Sequence, residues 1–175
     1  MIPDIKKILF TTDLTQHAHH AYDYAMSVAG RYGASITILY VMEEPSHSYS
    51  DQLKDFLGEE RWQGVQDSHE EHARQILIGK RREATMIKDA LGEFTKEAGK
   101  NLEEVTSVEA EVVVTSGNVV DEILSEAQSR EIDLIVMGYH VRGKLGETIL
   151  GSTTRRLLRR SHVPVMLVRM SEEES

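Results

Sequence analysis

Residues 138–154 read GYHVRGKLGETILGSTT, and four of the chain's 12 glycines fall between Gly138 and Gly151. Glycine lets the backbone approach a ligand closely and lets successive N–H groups turn inward on an anion. The stretch runs into an apolar-periodic segment, 152–161, so Gly151, Ser152, Thr153 and Thr154 stand where a helix would open. The unpaired N–H groups and positive dipole end of a helix start favour phosphate. Arg142 and Lys144 add positive charge inside the loop. The chemistry these residues suit is binding of a phosphate group or another small anion. Turn glycines and a serine N-cap would leave the same local pattern.

Three other constellations carry less. Gly138–Leu145 misses a Walker A motif at its last position, where Leu145 replaces the Ser or Thr that would hold Mg²⁺. His17-Ala18-His19-His20 follows the first apolar run, where nucleotidylyl transferases carry H-x-G-H, but His19 stands at the glycine. His69-Glu70-Glu71-His72 is not H-E-x-x-H, because residue 73 is alanine. These histidines read as solvated side chains, and no Ser/His/Asp set has usable spacing. With no cysteine, a disulfide framework, a thiolate zinc site and a cysteine nucleophile are excluded.

The chain has 175 residues and a net charge of −9, with 40% apolar and 28% charged residues. That is ordinary globular usage, and the length fits one domain over residues 1–175. The acidic balance disfavours non-specific nucleic-acid binding. The charge is uneven: residues 142–160 hold six arginines and lysines against Glu147 alone. The start, MIPDIKKILF, lacks the apolar stretch of a signal peptide, and no run approaches a membrane span. A cytoplasmic, soluble protein is the expectation.

Elements of two kinds must position the glycine-rich stretch. Residues 5–12, 34–41, 108–115, 132–137 and 163–170 are apolar, β-branched runs that read as strands. Residues 15–33, 117–130 and 152–161 carry apolar side chains at three- and four-residue steps and read as helices. In the first of these Ala18, Ala21, Tyr22, Ala25, Val28, Ala29 and Tyr32 would face inward, with Gly33 closing the helix. Alternation of this kind predicts an α/β fold: an open five-stranded parallel sheet with helices on both faces, Rossmann-like. Pro164 suits the start of an edge strand. Residues 45–104 are too long for a plain crossover and predict a helical insertion between strands two and three. Within it Ala73, Leu77, Ala84, Ile87, Leu91, Phe94 and Ala98 mark one long helix over about 66–100. Before that helix, Leu53, Phe56, Leu57 and Trp62 would supply a flap or an extra helix.

Ligands of such sheets sit at the carboxyl ends of the strands, near the point where strand order reverses. Thr11-Thr12-Asp13 ends strand one, Tyr40-Val41 strand two, Ser116-Gly117 strand three, and Gly138 opens the glycine-rich stretch after strand four. A strand ending in aspartate, then Gly138, Gly151 and Ser152 at these spacings, resembles the universal stress protein family (UspA-like), over residues 4–44 and 105–170. The family's nucleotide-binding branch carries G, two residues, G, nine residues, G, then Ser or Thr; Val141 stands at the second glycine, with Gly143 two residues later. The resemblance implies an adenine nucleotide alpha hydrolase-like sheet and a homodimer through the last strand. It implies ATP as ligand, with or without Mg²⁺. Thr12 and Asp13 would hold the nucleoside, the Val41 backbone would meet adenine, and Met137, Gly138 and His140 would border ribose and phosphates. Arg142 and Gly143 belong to the phosphate loop, and Gly151, Ser152, Thr153 and Thr154 to the phosphate-binding turn. Such a protein is a stress-response or signalling module that retains ATP without turnover or hydrolyses it slowly. The alternatives are a dimeric interaction protein of the same fold without nucleotide, and, third, a nucleotidylyl transferase or NTPase.

Overall fold

The computed structural model describes residues 2–15, 18–43, 78–96, 108–140 and 150–170. Five strands, β1 (Lys7–Thr11), β2 (Ser35–Glu43), β3 (Ala110–Gly117), β4 (Leu134–His140) and β5 (Val165–Met170), form one parallel sheet in the order β3-β2-β1-β4-β5. Helix α1 (Ala18–Tyr32) follows β1, and α2 (78–96) lies in the insertion between β2 and β3. Helix α3 (Val119–Ser129) follows β3, and α4 (Ser152–Arg160) joins β4 to β5. The expected α/β architecture is present, helical insertion included.

The strands are apolar on both sides because both sides are covered. Ile8, Phe10, Ile36 and Ile38 face α1 and Leu91 of α2, while Leu9, Leu39, Val41 and Ile135 face α3 and α4. Alternate residues serve opposite layers, as the two-residue period of a strand requires. Helix α1 approaches the sheet through Ala18, Ala21, Ala25 and Ala29, all buried, with Tyr22 wedged between the ring of Phe10 and that of Phe94. Gly33 takes φ +65, and the Ala34 N–H donates to the Ala29 carbonyl at 2.9 Å, a left-handed helix stop. Tyr32, expected inward, is 46% exposed, because it sits on the last turn where Gly33 already redirects the chain.

In the insertion, Ala84, Ile87, Leu91 and Phe94 turn toward the protein, and the helix runs unbroken through Gly79 and Gly92. Its expected continuation over 66–77 and 97–100, and the flap of Leu53, Phe56, Leu57 and Trp62, lie outside the described residues. At the amino end of the sheet, Asp133 accepts from the backbone N–H groups of Lys6 and Lys7 at 2.8 and 2.9 Å and so ties β4 to β1. Strands β3 and β5 are the sheet's edges, and Pro164 enters β5 with its carbonyl accepting from the Ile135 N–H at 2.9 Å. No helix among the described residues is long and apolar enough to cross a membrane.

Candidate functional site

The strands differ in length, and the difference makes the site. The central strand β1 pairs only as far as Thr11, opposite Leu39 and Met137. Its neighbours run on. Strand β2 stays paired with β3 to Glu43 and Gly117, and β4 stays paired with β5 to His140 and Met170. The result is a notch at the carboxyl end of the sheet, two strand spacings or about 10 Å from β2 to β4. It falls where strand order reverses, between β1 and β4.

Backbone groups line this notch in a definite pattern. The Thr12 N–H donates to the Leu39 carbonyl at 3.1 Å, so the main-chain groups of residue 39 face β1, and by alternation so do those of Val41 and Glu43. On the other side the Ile135 N–H points to β5, so Leu134, Val136 and Gly138 face β1. Beyond Thr11 the Val41 and Gly138 backbones therefore confront each other across the missing strand. A flat ring with donors and acceptors on its edges fits such a gap as a strand would.

The β1–α1 turn closes one side. The Leu14 N–H donates to Thr12 Oγ1 at 3.1 Å, and Asp13 Oδ1 accepts from the Thr15 N–H and Oγ1 at 3.0 and 2.7 Å. These bonds hold Leu14 at φ +61, an uncommon backbone state for leucine, and fix Asp13 at the cavity mouth. The other side is the start of α4. Helix α3 has a full cap: Asn118 Oδ1 accepts from the N–H groups of Val120 and Asp121 at 3.1 and 3.2 Å. Helix α4 begins at Gly151, which offers no side-chain acceptor. Its first-turn donors keep their affinity for an anion, and Gly151, Ser152 and Thr153 open on the cavity.

The cavity measures about 490 Å³, within the range of small-ligand sites. Nine of the twelve expected residues line it: Thr12, Asp13, Val41, Met137, Gly138, Gly151, Ser152, Thr153 and Thr154. His140 ends β4, and its side chain lies outside what the structure describes. Arg142 and Gly143, like Val141 and Lys144, lie outside the described residues. Gly138 and His140, expected in a loop, are strand residues, because β5 keeps pairing with β4 through them. Of the H-x-x-H pair, His17 lies outside the described residues, and His20 packs on Tyr24 (ring centroids 5.2 Å) away from the cavity. His19 packs edge-on against Phe94 at 4.4 Å.

Several lining residues carried no signal in the sequence. Ala18 and Ala21 of α1, and Val119 and Ile123 of α3, form walls on either side of the sheet plane, and Glu43 and Tyr139 complete the rim. Ala18, Ala21 and Ile123 had the periodicity of core positions, and only the shortness of β1 exposes them to the notch.

The fold and this notch define an open parallel-sheet α/β protein with a crevice at the switch point. The chain belongs to the universal stress protein family, whose model matches residues 4–169. It is 28% identical to Universal stress protein MJ0577 of Methanocaldococcus jannaschii, over 94% of each chain. The solved UspA of Lactobacillus plantarum has a TM-score of 0.59 at 22% identity, covering 96% of this chain and 100% of its own. A universal stress protein solved in complex with cAMP has a TM-score of 0.57 at 20% identity, covering 97% of this chain and 100% of its own.

Proposed function

We propose that this chain is a binding module for an adenine nucleotide. The base occupies the notch beyond Thr11, between the Val41 and Gly138 backbones, and the phosphates meet the uncapped start of α4. The observation that carries the reading is the junction of the two: a gap that asks for ring donors and acceptors ends on a helix start that asks for an anion. Gly151 fits the group, because among the described residues nothing stands within 4 Å of where its Cβ would be, and the ligand can use that space. That a universal stress protein of similar fold was solved with cAMP supports the ligand class.

The finer reading is ATP, with or without Mg²⁺, held by Thr12, Asp13, Val41, Met137 and Gly138 and by the turn Gly151–Thr154. His140, Arg142 and Gly143 would border its phosphates. The protein would act in the cytoplasm, in stress response or signalling, as a homodimer through the outer edge of β5. Isothermal titration of ligand-free protein with ATP, ADP, AMP and cAMP tests the reading. Heat with at least one of them, absent with GTP, is the expected result. No heat with any adenine nucleotide on folded protein would sink it.

A further inference from the structure

Helix α4 carries a second feature, on the face turned away from the sheet. Thr154 and Leu157 are its buried residues, and Arg155, Arg156, Arg159 and Arg160 are exposed. At 100° per residue the four arginines form a strip opposite the buried pair. They stand as two i, i+4 pairs, Arg155 with Arg159 and Arg156 with Arg160, each about 6 Å apart along the axis. Arg160 is held by Asp121 of α3 at 2.7 Å. The side chains of Arg155, Arg156 and Arg159 have no ion pair or hydrogen bond with any described residue. Leu158, 40% exposed, borders the strip. No acid lies on α4, although the chain as a whole carries −9.

We propose that the outer face of α4 docks an acidic amphipathic helix of another protein. Carboxylates four residues apart match the pitch of the guanidinium pairs, and each guanidinium can grip a carboxylate with two parallel bonds. An apolar side chain of the partner would cover Leu158. Charge complementarity selects this occupant over a nucleic acid, since the strongly acidic remainder of the chain repels a long polyanion approaching the short strip. Single exposed ion pairs contribute little, so binding depends on the three free arginines and Leu158 together.

The test uses the full chain and a fluorescein-labelled 20-residue helical peptide with glutamate at four-residue spacing and leucine beside it. Anisotropy should saturate in the micromolar range and weaken about tenfold between 50 and 200 mM NaCl, as a screened interaction must. Arg155→Glu with Arg159→Glu, both exposed, should cost at least about tenfold while leaving the melting temperature in place. A lysine version of the peptide should bind that double variant and not the parent. Leu158→Ser should cost about threefold. Binding unchanged in the double variant, or absent in the parent at millimolar peptide, would overturn the proposal. So would a 12-nucleotide single strand that binds tighter than the peptide. Peptide affinity rising about tenfold when Glu172, Glu173 and Glu174 become glutamine would give the face to the chain's own acidic segment, and would equally overturn it.

Discussion

Gly151 shows how a residue's role can be separated from its conformation. Its φ of −57 is open to any residue, so the backbone does not require glycine there. What remains is space, and among the described residues a Cβ at Gly151 would meet nothing within 4 Å. Gly151→Val should therefore fold normally and lose nucleotide at least about tenfold, read by isothermal titration beside a melting curve. Ser152→Ala should cost about 1.5 kcal/mol of binding, near tenfold, if its hydroxyl meets a phosphate. Tyr22 bears on stability instead. Burial, with the nearby charge of Asp23 adding to it, pushes its hydroxyl pKa up from 10.0 to about 12. Folding thus favours the protonated phenol. Stability is full below pH 10, where an unfolded tyrosine would begin to ionise, and falls as pH rises toward 12. Two pKa units correspond to about 2–3 kcal/mol, and Tyr22→Phe should flatten that stretch of a urea-midpoint-versus-pH curve. At this scale Gly151 and Ser152 were legible, because glycine before a hydroxyl at a helix start is a local pattern. Ala18 and Ile123 were not, because their role depends on where a strand from elsewhere stops.

Among the elements, the strands were legible from their apolar runs, and their lengths were not. Gly138 reads locally as the start of a loop, yet β5 holds it and the next two residues in the sheet. The same register decides how β5 can be probed. Met166 and Val168 alternate away from Leu167, and both belong to the layer under α1, with Val168 5% exposed. Val168→Asp should unfold the protein instead of splitting a dimer. The better probe is the backbone. The Pro164 carbonyl faces β4, so by alternation the N–H groups of Leu167 and Arg169 face outward. Arg169→Pro removes an outward donor and spares the ladder to β4, as proline on an edge strand can. Light scattering should then report a folded monomer where the parent is a dimer. A parent already monomeric at micromolar concentration would end the edge-pairing reading.

For the molecule as a whole, the alternation of strand and helix was enough to predict a doubly covered parallel sheet. The strand order and the notch were not readable, since both depend on pairings between distant segments. The insertion was readable as an anomaly of length, and its described helix follows the predicted stripe of Ala84, Ile87, Leu91 and Phe94. Its place in the chain has a kinetic consequence. Strands β1 and β2 are joined through α1 alone, whereas β3 must find β2 across residues 44–109. Closing the longer loop costs roughly 1 kcal/mol more, and non-local pairings are made late. The β1–α1–β2 unit should thus be largely formed in the folding transition state, with β3 added afterwards. Ile36→Val should slow refolding, while Val112→Ala on β3 should chiefly speed unfolding, each read from the two arms of a chevron plot. Refolding slowed equally by both changes would mean that the edge strand joins the nucleus despite the distance it must travel.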